Sequence, residues 1–194
     1  MSRYFGSAMQ TAFVVRNIDD HIRRCVEVGI GPFFVSRNMI LNMRCRGERR
    51  QVPITIALAY SGSMMYEYLE PHDDTPSPYS AFLAKNPEGG LHHLAYFCDD
   101  YDDALARAKS RGGTFDIVME LYTQDGSLIE IYVEPEGQPD GLLSQLIVES
   151  MFGSFFKQAE AAALEWDGTS PVRPLADLLP PVMQPPVMRP RGAT

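Results

Sequence analysis

Residues 10–24 read QTAFVVRNIDDHIRR and residues 93–107 read HLAYFCDDYDDALAR, so the chain contains one pattern twice. In both copies a short apolar run leads to paired aspartates and then to apolar and basic residues at helical spacing. Overlaid at a constant offset, the copies place Gln10 on His93. The repeat predicts a duplicated strand–helix unit with a polar side chain on the first strand of each copy.

A second similarity lies towards the end of each copy. The stretch MMYEYLE (64–70) resembles SLIEIYV (127–133), and this overlay places Glu67 on Glu130. Each copy then carries one metal-capable side chain on its first strand and another on its last. That arrangement predicts a site assembled between the two copies.

Each copy is predicted to form one strand, one helix and further strands. In the first copy Asn17 suits a helix N-cap and Gly29 suits the helix end, and three strands follow, two of them joined by the turn SGS (61–63). In the second copy a strand and a helix precede strands around the turn QDGS (124–127), where Asp-Gly is a hairpin signal. The second copy is shorter between its two candidate residues, which predicts a trimmed sheet there.

The candidate residues all lie on apolar strand faces. Side chains alternate across a strand, so each candidate shares its row with apolar residues. A buried carboxylate is costly unless it is paired or bound to a cation, and a divalent ion also relieves the repulsion between two carboxylates. One amide, one imidazole and two carboxylates suit one divalent ion (Zn, Ni, Co, Mn or Fe) with positions open to substrate. These predicted ligands are Gln10, Glu67, His93 and Glu130.

The strand register of the two glutamates and the role of one basic stretch remain open at this point. A register shift of one residue would turn Glu67 and Glu130 towards solvent, and Ile131 would then face the core. His92 precedes His93 and is predicted to face the opposite, solvent side as a partner for it. Arginines in the stretch RCRGERR (44–50) form either a phosphate-binding cluster or a solvated turn.

The repeated unit resembles the vicinal oxygen chelate superfamily over residues 8–136. The phrases GLHHLAYFCDDYDDALARAKSRGG (90–113) and DGSLIEIY (125–132) carry this resemblance. The family includes glyoxalase I, methylmalonyl-CoA epimerase, extradiol dioxygenases and bleomycin-resistance proteins. The resemblance implies an α+β fold in which two βαβββ modules form a metal-binding cup, with ligands on the first and last strands of each module.

The resemblance also implies a function. Matched by motif, the metal ligands fall on Gln10, Glu67, His93 and Glu130, and the set is similar to that of glyoxalase I. The implied activity is that of a metal-dependent isomerase, epimerase or lyase, which abstracts a proton next to a carbonyl. Glu130 and Glu67 would be the catalytic bases. The implied substrate is a small oxygenated acid or thioester, a CoA thioester among the candidates.

Two further functions belong to the same family. The first is a non-catalytic protein of the bleomycin-resistance type, in which the cup only holds a small ligand. The second is an iron-dependent ring-cleaving dioxygenase, whose relatives use two histidines and one carboxylate. Gln10 stands where the first of those histidines would be, which ranks the dioxygenase lower.

The predicted domain organisation follows the repeat. Residues 1–136 form the vicinal oxygen chelate domain, with module one at about 8–75 and module two at about 88–136. Residues 137–168 are predicted as a C-terminal helix, and residues 169–194 as a Pro-rich extended or disordered tail.

Apolar residues from Leu142 to Phe156 recur at helical spacing, and Gly153 interrupts them. The predicted helix would pack on the sheets or on another subunit. Since members of the family pair modules within or between chains, a homodimer is expected.

Composition excludes several classes of partner. The formal net charge of −8 argues against a nucleic-acid binder, because phosphate neutralisation needs a basic face. No window approaches the apolar length of a membrane span, and no secretory signal is recognised. The cysteines, Cys25, Cys45 and Cys98, are odd in number and lack CxxC spacing, which argues against a disulfide framework. A cytoplasmic location is expected.

Overall fold

The computed structural model describes residues 1–139 and 141–178. Its strands are β1 (Gln10–Val14), β2 (Phe33–Cys45), β3 (Glu48–Ser61), β4 (Met64–Pro71), β5 (Gly90–Cys98), β6 (Phe115–Tyr122), β7 (Leu128–Pro135), β8 (Leu143–Val148) and β9 (Val172–Pro174). Its α-helices are α1 (Ile18–Glu27), α2 (Pro78–Lys85), α3 (Tyr101–Ser110) and α4 (Glu149–Leu164), and a short 3₁₀ turn follows at Leu175–Asp177.

The repeated sequence forms the same local structure twice. The side chain of Asn17 caps α1 by accepting a hydrogen bond from the backbone N–H of Asp20 at 3.1 Å. The side chain of Asp100 caps α3 in the same way, accepting from the N–H of Asp103 at 3.0 Å. These caps satisfy N–H groups that a helix leaves free at its start. The predicted strand–helix repeat is therefore confirmed.

Two βαβββ modules build the sheet. Module one contains β1, α1, β2, β3 and β4, and module two contains β5, α3, β6, β7 and β8. In each module the first strand pairs in parallel with the last, β1 with β4 and β5 with β8. The strand order is β3-β4-β1-β5-β8-β7-β6-β2, and β2 also pairs with β3, so these strands close on themselves. The α+β fold of two βαβββ modules is confirmed.

The second module is complete, and the prediction of a trimmed sheet is wrong. Residues 143–148, predicted as the start of the C-terminal helix, form the last strand of module two. The helix begins at Glu149. Strand β8 lies between β5 and β7 and is buried on both faces, so its sequence is nearly a continuous apolar run. Such a run cannot be distinguished from a buried helical segment by periodicity.

Helix α4 packs on the sheet of its own chain. Its side chains Phe152, Phe155 and Phe156 belong to one buried cluster with Leu58 of β3 and Ile147 of β8. The sheet therefore covers the apolar face of this helix. A homodimer stays a prediction. The apolar face of α4 gives it no support, because that face packs on the sheet of its own chain.

The segment after α4 returns to module one. The ring of Trp166 packs so closely on Gly31 that a Cβ there would lie 2.8 Å from it. Strand β9 then pairs in parallel with residues 33–35 of β2, and Leu175 is buried after it. Of the predicted tail, residues 179–194 lie outside the described part of the chain.

No helix among the described residues has the length and apolar character needed to cross a membrane.

Candidate functional site

A cavity of about 320 Å³ lies within the closed sheet. The paired strands of both modules contribute to its floor, which is polar. The floor residues are Gln10, Glu67, Tyr79, Glu130, Tyr132 and Gln145. Three of the four residues predicted from the sequence therefore line one cavity, and the fourth, His93, lies buried beneath it.

The contribution of module one is an amide paired with a carboxyl group. Gln10 on β1 donates a hydrogen bond from Nε2 to Oε2 of Glu67 on β4, at 2.7 Å. Both residues are buried. Burial raises the pKa of Glu67 to about 8, although the hydrogen bond from Gln10 opposes this shift. Without a cation, this carboxyl group is mainly protonated at neutral pH.

Module two contributes the imidazole of His93. This side chain is fully buried, and its Nε2 lies 3.3 Å from Oε2 of Glu67. Burial lowers the pKa of His93 to about 3, and the neighbouring Gln145 only partly offsets that effect. The ring is therefore neutral, and one of its nitrogens offers a lone pair.

His92 orients this ring from the protein interior. Its Nδ1 lies 2.9 Å from Nδ1 of His93, which leaves Nε2 of His93 towards the site. His92 is itself buried and contacts the rings of Tyr79 and Phe82 on α2. The prediction that His92 faces solvent is wrong, because β5 bulges against β1 at this residue and α2 covers it.

The overlay of Glu67 on Glu130 is also wrong. The β1–β4 register places Ala12 opposite Glu67, and the equivalent β5–β8 register places Ala95 opposite Gln145. Gln145, at the centre of β8, is thus the structural counterpart of Glu67. Sequence analysis missed it, although one amide inside the apolar run of residues 142–148 was a usable signal.

Glu130 lies on the neighbouring strand β7, next to Gln145. Nε2 of Gln145 is 2.8 Å from Oε2 of Glu130 and 2.8 Å from the hydroxyl of Tyr132. Burial, reinforced by the charge of Glu67, raises the pKa of Glu130 to about 8. Its neighbour Ile131 packs in a separate core with α3. Ile131 and Tyr132, on opposite faces of β7, are both buried, and Glu130 lines the cavity, so the register-shifted alternative does not apply to it.

The buried polar atoms without hydrogen-bond partners converge on this site. Among the described side chains they are the hydroxyl of Tyr79, Nε2 of His93 and Oε1 of Gln145. Buried polar groups are normally satisfied, and the carboxylate oxygen of Glu67 near Nε2 of His93 lies at 3.3 Å, so this cluster of polar atoms suits a bound ligand. An imidazole nitrogen, an amide oxygen and the carboxyl group of Glu67 are donors that fit a divalent ion of borderline character.

The donor set depends on amides. The described side chains do not bring three His, Cys, Asp or Glu residues into one metal-binding group. Gln10 and Gln145 would have to complete any set built on Glu67 and His93. A ligand role for Glu130 stays a prediction.

The arginines of the β2–β3 turn do not line the cavity. Arg46 lies 2.7 Å from a carboxylate oxygen of Glu134, and Arg44 lies 3.7 Å from one of Glu120. Arg50 pairs with Glu48. These contacts favour a structural, solvated role for the turn over a phosphate-binding cluster.

Comparison with solved structures finds several similar proteins. Methylmalonyl-CoA epimerase from Mycobacterium tuberculosis is 16% identical, with a TM-score of 0.50 over 76% of this chain and 91% of that chain. A hypothetical protein from Bacillus halodurans C-125 is 17% identical, with a TM-score of 0.49 over 73% of this chain and 93% of that chain. A variant of methylmalonyl-CoA epimerase from Streptomyces coelicolor in complex with 2-nitronate-propionyl-CoA, and a methylmalonyl-CoA epimerase in complex with methylmalonyl-CoA, are each 17% identical with a TM-score of 0.47. Each comparison covers 74% of this chain and 94% of that chain.

No curated protein matches the chain. A family model described as the glyoxalase/bleomycin resistance protein/dioxygenase superfamily matches residues 9–126. The matched span contains Gln10, Glu67 and His93 but ends before Glu130 and Gln145. Because it covers more than half of the chain, the protein belongs to the glyoxalase/bleomycin resistance protein/dioxygenase superfamily.

Proposed function

We propose that the protein is a divalent-metal-dependent isomerase, epimerase or lyase that abstracts a proton next to a carbonyl of a small oxygenated substrate. The observation that carries the proposal is the convergence of buried polar atoms at the floor of one cavity, with Nε2 of His93 directly beneath that floor and 3.3 Å from Oε2 of Glu67. A bound divalent ion would polarise the substrate carbonyl and stabilise the negative charge that forms on it.

The residues suited to hold the ion come from both modules. His93 and Glu67 are the firm pair, since Nε2 and Oε2 lie 3.3 Å apart, which is close enough for both atoms to bind one ion. Gln10 orients Glu67 through its amide. Gln145 presents an unpaired oxygen at the position equivalent to Glu67. Every ligand thus lies on a first or last strand.

Glu130 is the proposed base. It lines the cavity, and Gln145 holds its carboxyl group by a hydrogen bond of 2.8 Å. Burial raises the pKa of Glu130 to about 8, which is near neutral pH and so suits a group that takes and returns a proton. Glu67 is the second candidate base and would act from the module-one side of the floor.

A non-catalytic binding protein is the second candidate function. The observation that favours it is that the candidate metal ligands already pair with neighbouring side chains. The amide of Gln10 donates a hydrogen bond to Glu67, and the amide of Gln145 donates one to Glu130. A floor whose carboxyl groups are paired in this way would hold a ligand without a metal. A ring-cleaving dioxygenase has less support, since Gln10 stands where a second histidine would be needed and His92 is buried behind His93.

Metal content tests the proposal. Untagged protein would be reconstituted with Mn, Fe, Co, Ni and Zn in turn and analysed for bound metal, together with His93→Ala and the matched control His72→Ala. His72 is exposed and lies outside the cavity. We expect near-stoichiometric metal in the native protein and the control, and its loss in His93→Ala. Absence of metal from the native protein under all five conditions would remove the enzyme proposal and favour the binding protein.

A further inference from the structure

Helix α2 belongs to neither module, because it lies between β4 and β5. Its start is fixed by a capping box, in which the backbone N–H of Ser80 donates to the hydroxyl of Ser77 at 3.2 Å and the N–H of Ser77 donates to the hydroxyl of Ser80 at 3.0 Å. Its end is fixed by Arg16, whose guanidinium donates to the carbonyl oxygens of Leu83 and Pro87. The helix is therefore held in a defined position against module one.

Tyr79 extends from the first turn of this helix to the cavity floor. The side chain is fully buried and lines the cavity. Its ring packs against the ring of His92, with the centroids 5.3 Å apart, and so contacts the residue that orients His93. Tyr79 thus connects the helix between the modules to the floor that both modules build.

The hydroxyl proton of Tyr79 has no acceptor within the described part of the chain, where this hydroxyl forms no hydrogen bond. The neighbouring hydroxyl of Tyr132 is placed to act as a donor towards it. Tyr132 already accepts a hydrogen bond from Nε2 of Gln145 at 2.8 Å, so its own proton is free to point at the oxygen of Tyr79. In that arrangement too, the proton of Tyr79 is left for a ligand in the cavity.

The environment of Tyr79 keeps this proton in place. Burial raises the pKa of Tyr79 well above its usual range, and the charges of Glu67 and Glu130 reinforce the rise. The hydroxyl of Tyr132 opposes it, which is the effect of a donor to the phenol oxygen. Tyr79 therefore stays protonated at neutral pH and is suited to donate a hydrogen bond, not to act as a base.

The other donors of the floor are already engaged. Both amide hydrogens of Gln145 are committed, one to Glu130 and one to Tyr132. One of the two amide hydrogens of Gln10 is committed as well. The proton of Tyr79 is therefore the hydroxyl donor of the floor that is available to a bound oxygen.

Resting on the proposed function, we propose that Tyr79 is a further catalytic residue, which donates a hydrogen bond to the substrate oxygen that becomes negatively charged when the neighbouring carbon loses its proton. The walls above the floor are largely apolar, with Ile56, Leu58, Phe152 and Phe155 among them, so little besides a bound ion would otherwise meet that charge. No proton leaves Tyr79 in this step. Its hydrogen bond is stronger to the charged oxygen than to the neutral carbonyl, which stabilises the transition state more than the bound substrate.

Binding of acetohydroxamate tests this role without any need for turnover. This probe is small and binds a divalent ion through two neighbouring oxygens, one of which is negatively charged. Native protein, Tyr79→Phe and the matched control Tyr122→Phe would be loaded with whichever of the five divalent ions binds, and titrated by calorimetry. Tyr79→Phe keeps the ring that packs on His92. Tyr122 also lines the cavity but is only half-buried, at the end of β6.

We expect the metal to bind the native protein and both variants equally, because neither tyrosine is a proposed ligand. This equality also shows that the floor is intact in the variants. Acetohydroxamate should bind Tyr79→Phe about tenfold more weakly than the native protein, a difference of about 1.4 kcal/mol. It should bind Tyr122→Phe as tightly as the native protein.

Equal affinity of acetohydroxamate for the native protein and Tyr79→Phe, or an equal loss in both variants, would overturn the role of Tyr79. A loss of metal affinity in Tyr79→Phe would overturn it too, since the hydroxyl would then support the metal site and not the bound oxygen. Metal uptake separates this proposal from the proposed function. Uptake with no effect of Tyr79→Phe removes the role of Tyr79 alone, whereas failure to take up any of the five ions removes the metal-dependent function and this role with it.

Discussion

At equivalent positions of the two modules, module one carries Gln10 and Glu67 whereas module two carries His93 and Gln145. Each module thus supplies one amide and one stronger metal ligand, but on opposite strands. The backbone pairing is the same, since β1 and β5 lie side by side with Gln10 opposite Ala95 and His93 opposite Ala12. The repeated fold brings three of these polar side chains to the floor and His93 directly beneath it, while each copy keeps a different chemistry.

The third strands of the modules differ more. Ile56 and Leu58 of module one correspond to Glu130 and Tyr132 of module two, because each pair lies opposite equivalent residues of the last strand. One module therefore provides an apolar wall and the other a proton acceptor with its hydrogen bonds. A substrate would therefore be oriented by the difference between the two modules.

Giving both modules the same polar residue on their first strands should have the largest effect on metal affinity. His93→Gln gives both modules a glutamine there and removes the nitrogen ligand of the floor. We expect divalent-metal affinity to fall about a hundredfold, or about 2.7 kcal/mol, as measured by calorimetry. Gln10→Ala should cost less, since Gln10 acts mainly by orienting Glu67. Equal losses in the two variants would contradict the assignment of the stronger ligand to module two.

Giving both modules a carboxylate on their last strands should strengthen metal binding. Gln145→Glu gives both modules a carboxylate, and we expect metal affinity to rise about tenfold. Without metal the new carboxylate lies beside Glu130, so the melting temperature should fall by about 2–4 °C for each kcal/mol lost. Gln158→Glu, at an exposed position on α4, is the matched control and should change neither quantity. A variant that binds metal no better would show that Gln145 does not face the ion.

The orientation of His93 by His92 has no counterpart in module one. Its loss should have a moderate effect on metal affinity. His92→Phe keeps the packing against α2 but removes the hydrogen bond to His93. We expect metal affinity to fall about tenfold, as for other partners that orient a ligand. His92→Gln should restore part of the loss. If His92→Phe binds metal normally, packing alone orients His93.

The smallest predicted effect is the pH dependence of stability that two buried carboxyl groups give to the metal-free protein. Burial raises the pKa of Glu67 and Glu130 from the ordinary 4.5 to about 8, so the folded state keeps protons that the unfolded state has lost. The stability from these groups is complete below about pH 4.5 and declines as pH rises to about 8. Denaturation after metal removal should show this decline, with a smaller slope in Glu67→Gln than in the exposed control Glu88→Gln. Equal slopes would contradict the burial of Glu67.

Much of the fold and part of the floor could be predicted from the sequence, for local reasons. Asn17 and Asp100 mark the two helix starts, and the repeat around them identified Gln10, His93 and the paired modules. Glu67 lies in a strand whose alternation is visible, and the structure places it on the floor. These signals lie within a few residues of the features they predict.

The missed residues depend on pairing between distant strands. Strand β8 has no alternation because both its faces are buried, so Gln145 appeared to belong to a helix. Only its register with β5 shows that it corresponds to Glu67. The burial of His92 likewise depends on α2, which covers β5 from a different part of the chain. Periodicity within one segment cannot carry such information.

Anomalous diffraction from crystals of the cobalt-loaded protein would show whether residues of both modules bind one metal ion. We expect a single strong peak at the cavity floor, within coordination distance of Nε2 of His93 and of a carboxylate oxygen of Glu67. A peak found only at an exposed side chain such as His72 would contradict a metal site shared by the modules. So would the absence of a peak from crystals grown with saturating cobalt.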